Sequence, residues 1–171
     1  ISTRDWSSDV CSSDLKPIGP ASAPQNLRAT FQPSGAQAQA TLRWDWPANR
    51  GGGEIRNFQV QMKQGDGAWA DVSAPALTFG PTRESAVIKG LDYGVTYSFR
   101  LAAVTSYTQE QWVDGSGWVS SGWLVYGPGA FSDPVTLTPV ALSTVPTNVV
   151  ASLGTAGSID VRWNPPAITG G

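Results

Sequence analysis

Residues 90–104 read Gly-Leu-Asp-Tyr-Gly-Val-Thr-Tyr-Ser-Phe-Arg-Leu-Ala-Ala-Val. From Tyr97 onward, Tyr97, Phe99, Leu101 and Ala103 alternate with Ser98, Arg100 and Ala102. A period of two sends successive side chains to opposite faces, so this stretch reads as a β-strand with one buried face. The same period recurs on both sides of it. Ala40, Leu42, Trp44 and Trp46 alternate with Thr41, Arg43 and Asp45, and Pro47 ends the run. Phe58, Val60 and Met62 alternate with Gln59, Gln61 and Lys63. Ala86 and Ile88 alternate before Gly90-Leu91, and Val135 and Leu137 alternate with Thr136 and Thr138. Pro33-Ser34-Gly35, Asn49 to Gly53 and Asp66-Gly67 supply turns between these runs. Apolar spacing of three and four never persists over several turns, so no helix is expected. Short strands divided by Gly/Pro turns imply an antiparallel sandwich or barrel.

Composition narrows the function classes. The 171 residues include 19 Gly, 13 Pro and 8 Trp, while 14% are charged. Eleven Lys and Arg stand against thirteen Asp and Glu, a net charge of −2. Such a balance gives no strong pull toward nucleic acid or an anionic membrane. No apolar run approaches the roughly 18 residues that a membrane-spanning helix needs. Histidine is absent, which removes Ser-His and Cys-His triads, imidazole bases and His metal ligands.

Residues 5–15, DWSSDVCSSDL, are mostly Ser and Asp with no apolar period. The segment resembles a translated sequencing adapter, letter for letter. Ile1–Leu15 is therefore set aside as an artefact, expected to be disordered. Cys11 goes with it, leaving a chain without disulfides, thiolate nucleophiles or thiolate metal ligands.

The rest contains a repeat. Pro24, Asn26 and Ala29 recur 122 positions on as Pro146, Asn148 and Ala151. Leu42, Trp44 and Pro47 recur 119 positions on as Val161, Trp163 and Pro166. The expected organisation is a linker over 16–23, a complete domain over 24–139, a linker over 140–145 and an incomplete second copy over 146–171. That second copy holds two strands, too few to close a core. The chain is expected to be a fragment of a longer tandem-domain protein.

These residues resemble the fibronectin type III family. Pro24-Gln25-Asn26-Leu27-Arg28-Ala29 is similar to its Pro-x-x-Leu-x-Ala opening, and Leu42 through Pro47 to its Leu-x-Trp-x-x-Pro pattern. Ile55, Phe58 and Val60 resemble Ile-x-x-Tyr-x-Val, with Phe58 lacking the usual hydroxyl. Gly90-Leu91 followed by Tyr97 resembles the tyrosine corner, although Tyr93-Gly94 stands where Pro-Gly is usual. Ser132 to Val135 resembles the entry to the last strand. The resemblance implies an all-β, immunoglobulin-like seven-stranded antiparallel β-sandwich, followed by a truncated second copy. It places Trp44 and Trp163 in cores, while partial burial is the default expectation for Trp46 and Trp69.

One stretch departs from the family pattern. Residues 106–128, SYTQEQWVDGSGWVSSGWLVYGP, stand where a short loop between the last two strands is usual. They read as a long hairpin with its tip near Asp114 to Gly117. Tyr107, Trp112, Trp118, Trp123 and Tyr126 within it are the candidate ligand-binding residues. Flat aromatic faces can stack on sugar rings or anchor a protein contact. The competing uses are cross-strand packing within the hairpin and coverage of the sandwich's own edge. Arg50-Gly51-Gly52 occurs once and reads as a turn rather than an RNA-binding tract. No catalytic residue, metal site or cofactor is expected, so the chain is not read as an enzyme.

The implied function is a spacer and recognition module of an extracellular or surface-exposed microbial protein, contacting carbohydrate or protein through the insertion. Two other settings stay open: a structural or host-contact module of a phage tail protein, and an accessory fragment of a secreted polysaccharide-degrading enzyme. The expected partners are a protein or polysaccharide surface and neighbouring domains of the same chain, with no nucleic acid and no membrane insertion. The expected location is extracellular, on the cell surface or on a virion.

Overall fold

The computed structural model describes residues 18–113 and 116–167, with the backbone alone at 109–113, 117–119, 121 and 123. The adapter-like segment 1–15 lies outside the described residues. The strands are β1 (Gln25–Ser34), β2 (Gln37–Asp45), β3 (Glu54–Gln64), β4 (Ala70–Val72), β5 (Leu77–Phe79) and β6 (Ser85–Leu91). They continue with β7 (Tyr97–Val113), β8 (Gly117–Phe131), β9 (Val135–Leu137), β10 (Thr147–Leu153) and β11 (Ile159–Asn164). A single 3-10 turn, Thr155–Gly157, is the one helical element among the described residues.

One sheet has the order β1-β2-β6-β5, and the other has β4-β3-β7-β8 with β9 also on β7. The architecture is an immunoglobulin-like antiparallel β-sandwich. Its seven expected strands gain two by subdivision and addition. Ser132 to Pro134 divide the last strand into β8 and β9, and the three-residue β5 is added beside β6. Leu77 and Phe79 of β5 alternate with Thr78, but a three-residue run is too short to announce a strand by itself.

The chain falls into two compact units. The first contains residues 18–27, Trp44–Val60 and the described part of Arg100–Asp133. Its interior is built on Trp44, Phe58, Val60 and Leu101, each at most 2% exposed. Trp44 meets Phe58 edge-to-face at 5.1 Å, and Trp46 meets Phe58 at 5.7 Å. Phe58 lacks the family's hydroxyl and uses its ring edges and faces instead. Residues 19–22, expected as linker, are tied down here. Gly19 N–H donates to the Gly51 carbonyl and Ser22 N–H to the Asn49 carbonyl, both at 2.9 Å, and Ala21 is 2% exposed. The approach is so close that a Cβ at Gly51, where φ is +70°, would overlap the Gly19 carbonyl.

The second unit contains Arg28–Arg43, Gln61–Phe99 and residues 134–167. Leu42, Ile88, Leu91, Tyr97 and Phe99 form its interior, and Tyr97 and Phe99 stack at 6.3 Å. Each such side chain contributes about 1.5–3 kcal/mol by leaving water. The Tyr97 hydroxyl accepts from the Asp92 backbone N–H at 2.9 Å. This is the expected tyrosine corner, closing the turn that the opening stretch of sequence describes. Gly94 N–H donates to the Pro139 carbonyl at 2.8 Å, pinning the same corner to the end of β9.

β10 and β11 pair only with each other among the described strands. Every residue in both is exposed. Trp163, expected in a core, is 57% exposed. Its strand has the right alternation, but no second layer covers the apolar face among the described residues, and a two-stranded ribbon has no interior of its own.

Candidate functional site

The insertion over 106–128 continues β7 and β8 as one antiparallel hairpin. Tyr107 pairs with Leu124, Thr108 with Trp123 and Trp112 with Trp118, and the last pair is Val113 with Gly117. β-Branched and aromatic residues favour such a pleated ribbon, and the Gly-rich tip allows reversal. Residues 114 and 115 at the tip lie outside the described residues.

The register slips three times, between Ala102 and Val104, Val104 and Ser106, and Gln109 and Glu110. Each slip places one surplus residue in β8. Gly122 and Gly127 fall at two of them with φ of +127° and +54°, conformations that L side chains rarely adopt. Bulges of this kind increase the local twist and spoil a flat edge. β8 needs that protection, because it lies at the end of its sheet and carries no charged residue from Gly117 to Phe131.

The root of the hairpin is firmly built. Ser132 N–H donates to the Leu101 carbonyl at 2.8 Å, and the Ser132 hydroxyl accepts from the Leu101 N–H at 3.2 Å. The Arg100 guanidinium lies 4.4 Å from the Phe131 ring centroid. Arg56 Nε donates to Ser106 Oγ at 3.1 Å. Ala130 N–H donates to the Ala21 carbonyl at 3.2 Å, so residues before β1 brace the hairpin as well.

Of the five candidate residues, Tyr107 is half-buried and Tyr126 is 42% exposed. The side chains of Trp112, Trp118 and Trp123 lie outside the described residues. Two residues outside the candidate set are also accessible: Leu124 at 40% and Val125 at 69% exposure. Their signal was present in the sequence. Trp123-Leu124-Val125-Tyr126 is an unbroken apolar run, and a two-faced strand cannot turn all of it inward. The Arg50 tripeptide has a structural use, since its guanidinium lies 5.1 Å from the Trp46 ring centroid.

Among the described residues no cluster of three metal-ligating side chains occurs, and no helix is long and apolar enough to cross a membrane. What the hairpin offers is an exposed apolar run, Leu124 to Tyr126, on an edge strand.

Residues 22–115 match the family model described as Fibronectin type III domain. Protein sidekick-1 of Mus musculus is 28% identical over 165 residues, covering 95% of this chain. Protein sidekick-1 of Gallus gallus is 28% identical over 144 residues, covering 84% of it. The chain spans about 6% of the length of each of these relatives. Among solved structures, the titin kinase with its flanking domains aligns over 71% of this chain and 18% of its own, at 19% identity and a TM-score of 0.43. The twitchin kinase region of C. elegans aligns over 82% of this chain and 19% of its own, at 17% identity and a TM-score of 0.43.

Proposed function

The chain belongs to the fibronectin type III family, and on that premise we propose that it is a non-catalytic recognition module of a larger extracellular or cell-surface protein. The observation that carries this reading is the accessible Leu124, Val125 and Tyr126 on the uncharged β8 edge. Contiguous exposed apolar side chains on a soluble domain favour an interface. An edge strand adds unpaired backbone N–H and C=O groups to the same surface. The partner is a protein surface with an apolar patch, on a neighbouring domain or another chain. In the same reading, 24–139 forms the complete domain and 146–171 opens a second copy. The sidekick relatives come from mouse and chicken, which lends no support to a microbial or phage setting.

The test is site-specific photocrosslinking in the full-length protein on its source cells. A photoreactive residue in place of Val125 is expected to give a discrete protein adduct that Leu124→Ser/Tyr126→Ser abolishes. An adduct pattern no different from a probe at Val149, which is 62% exposed, sinks the proposal. Quenching of tryptophan fluorescence by neutral glycans, lost in the same variant, replaces the protein partner with a carbohydrate one.

A further inference from the structure

The outward face where β4, β3, β7 and β9 run side by side carries a polar pattern unlike that of the β8 edge. Lys63 Nζ lies 5.4 Å from the Trp69 ring centroid, and Gln61 Nε2 donates to Asp71 Oδ1 at 2.9 Å. These two contacts align β3 with β4 on that face. Gly65 N–H donates to the Thr96 carbonyl at 2.9 Å, so in the antiparallel count Lys63 stands opposite Ser98. Ser98 is in turn the register partner of Thr136, and their hydroxyls are 3.3 Å apart. Trp69, Lys63, Ser98 and Thr136 therefore form one row across the sheet. Thr96 and Thr138, hydrogen-bonded at 2.8 Å, flank the row on one side. Gln61 and Asp71 flank it on the other. All of these residues belong to the second unit, whereas Leu124 to Tyr126 belong to the first.

The chemistry of the row selects its ligand. Trp69, half-buried at the sheet's edge, is the only large apolar side chain among these residues. They lack the apolar cluster that forms the centre of a protein interface. Lys63 and Asp71 balance in charge, so the row exerts no net pull on an ionic polymer. What it presents is one flat aromatic surface followed by ammonium, amide and hydroxyl groups at regular spacing. Neighbouring strands lie about 4.8 Å apart, close to the length of one pyranose in an extended β-linked chain.

We propose that this row binds a neutral, β-linked polysaccharide lying across the strands. One sugar ring stacks its C–H face on the Trp69 indole. The following rings lie over Lys63, Ser98 and Thr136, one per strand. Ser98 is 8% exposed and forms a low floor, while the exposed Thr96 and Thr138 hydroxyls stand beside it. Sugar hydroxyls donate and accept, as do the threonine hydroxyls and the Gln61 amide, so each can find a partner. An α-linked chain of the same sugar coils and cannot follow a straight row.

The experiment titrates the isotope-labelled chain with cellohexaose, chitohexaose and maltohexaose and follows it by NMR. At least one of the first two is expected to bind with a dissociation constant below about 1 mM. The largest shifts should fall on the Trp69 indole N–H and the Ser98 and Thr136 amides. Maltohexaose should leave them in place. Trp69→Ala is expected to weaken binding by about tenfold or more, as for an aromatic anchor. Thr96→Val/Thr138→Val keeps the side-chain shape, removes two hydroxyls and should weaken binding by about threefold. Trp163→Ala removes an indole that is 57% exposed elsewhere and should change affinity by less than about twofold. Leu124→Ser/Tyr126→Ser, which abolishes the protein adduct proposed above, should leave glycan binding unchanged. Absence of binding to both cellohexaose and chitohexaose, or equal binding of maltohexaose, would overturn the proposal. So would unchanged affinity in the threonine pair, or equal losses from Trp69→Ala and Trp163→Ala. Shifts centred on Leu124 to Tyr126 would move the glycan to the β8 edge and overturn it too.

Discussion

The β1–β2 and β10–β11 hairpins are two settings of one pattern. Asn26 and Asn148 both adopt φ of +53° near the start of their hairpins. Trp44 and Trp163 occupy corresponding places in the second strand of each. Yet Trp44 is 2% exposed and Trp163 is 57% exposed. In β10–β11, Leu153 pairs with Ile159 and Ala151 with Val161, so one side of the ribbon is apolar throughout. Leu153 is nevertheless 89% exposed. Alternation therefore determines that a segment is a strand and which side is apolar. It does not bring the second layer that makes an apolar side a core.

The strongest way to break this comparison is to truncate the two tryptophans. Trp44→Ala should destabilise the domain by about 3–5 kcal/mol, by lost transfer energy and the cavity left behind. Trp163→Ala should change stability by no more than about 0.5 kcal/mol, as for exposed positions generally. Urea titrations of both variants make the check, and similar midpoints would mean that the two hairpins are equivalent after all.

A smaller effect is expected at the tyrosine corner between β6 and β7. Tyr97→Phe keeps the ring packed but strips the acceptor from the Asp92 N–H, and should cost about 1–3 kcal/mol. Faster amide exchange at Asp92 would accompany it. Unchanged exchange and stability would show that the corner is ornamental.

The asparagines give the smallest and finest contrast. Asn26→Ala loses both a left-handed conformation that Asn tolerates and the bond to Asp45, and should cost about 1 kcal/mol in global unfolding. Asn148→Ala should alter only the local exchange of β10. A global loss from Asn148→Ala would mean that the second hairpin is folded cooperatively with the first.

Most of the sandwich was legible because its strands are half-buried and so advertise a period of two. Leu42, Ile88 and Tyr97 could be assigned to an interior from spacing alone, and Leu91 from the resemblance to the tyrosine corner. The docking of residues 19–22 was not legible. Its bonds are backbone to backbone, and Ala21 fits because it is small, so the segment's text is that of any linker. The hairpin was legible as a ribbon, but its three slips were not, because a bulge shows in register rather than in composition. Exposure of Leu124 and Val125 follows from an apolar run too long for one face. The choice of the exposed members depends on those slips.

The slips also have a bearing on engineering. β8 takes fourteen steps from Phe131 to Gly117 where β7 takes eleven from Ala102 to Val113. All the slack is therefore on one strand, and much of it coincides with glycine. Removing a single surplus residue there would re-aim everything distal to it while leaving the root untouched. Ribbon length and tip orientation thus become separate dials for anyone grafting a new loop onto this scaffold.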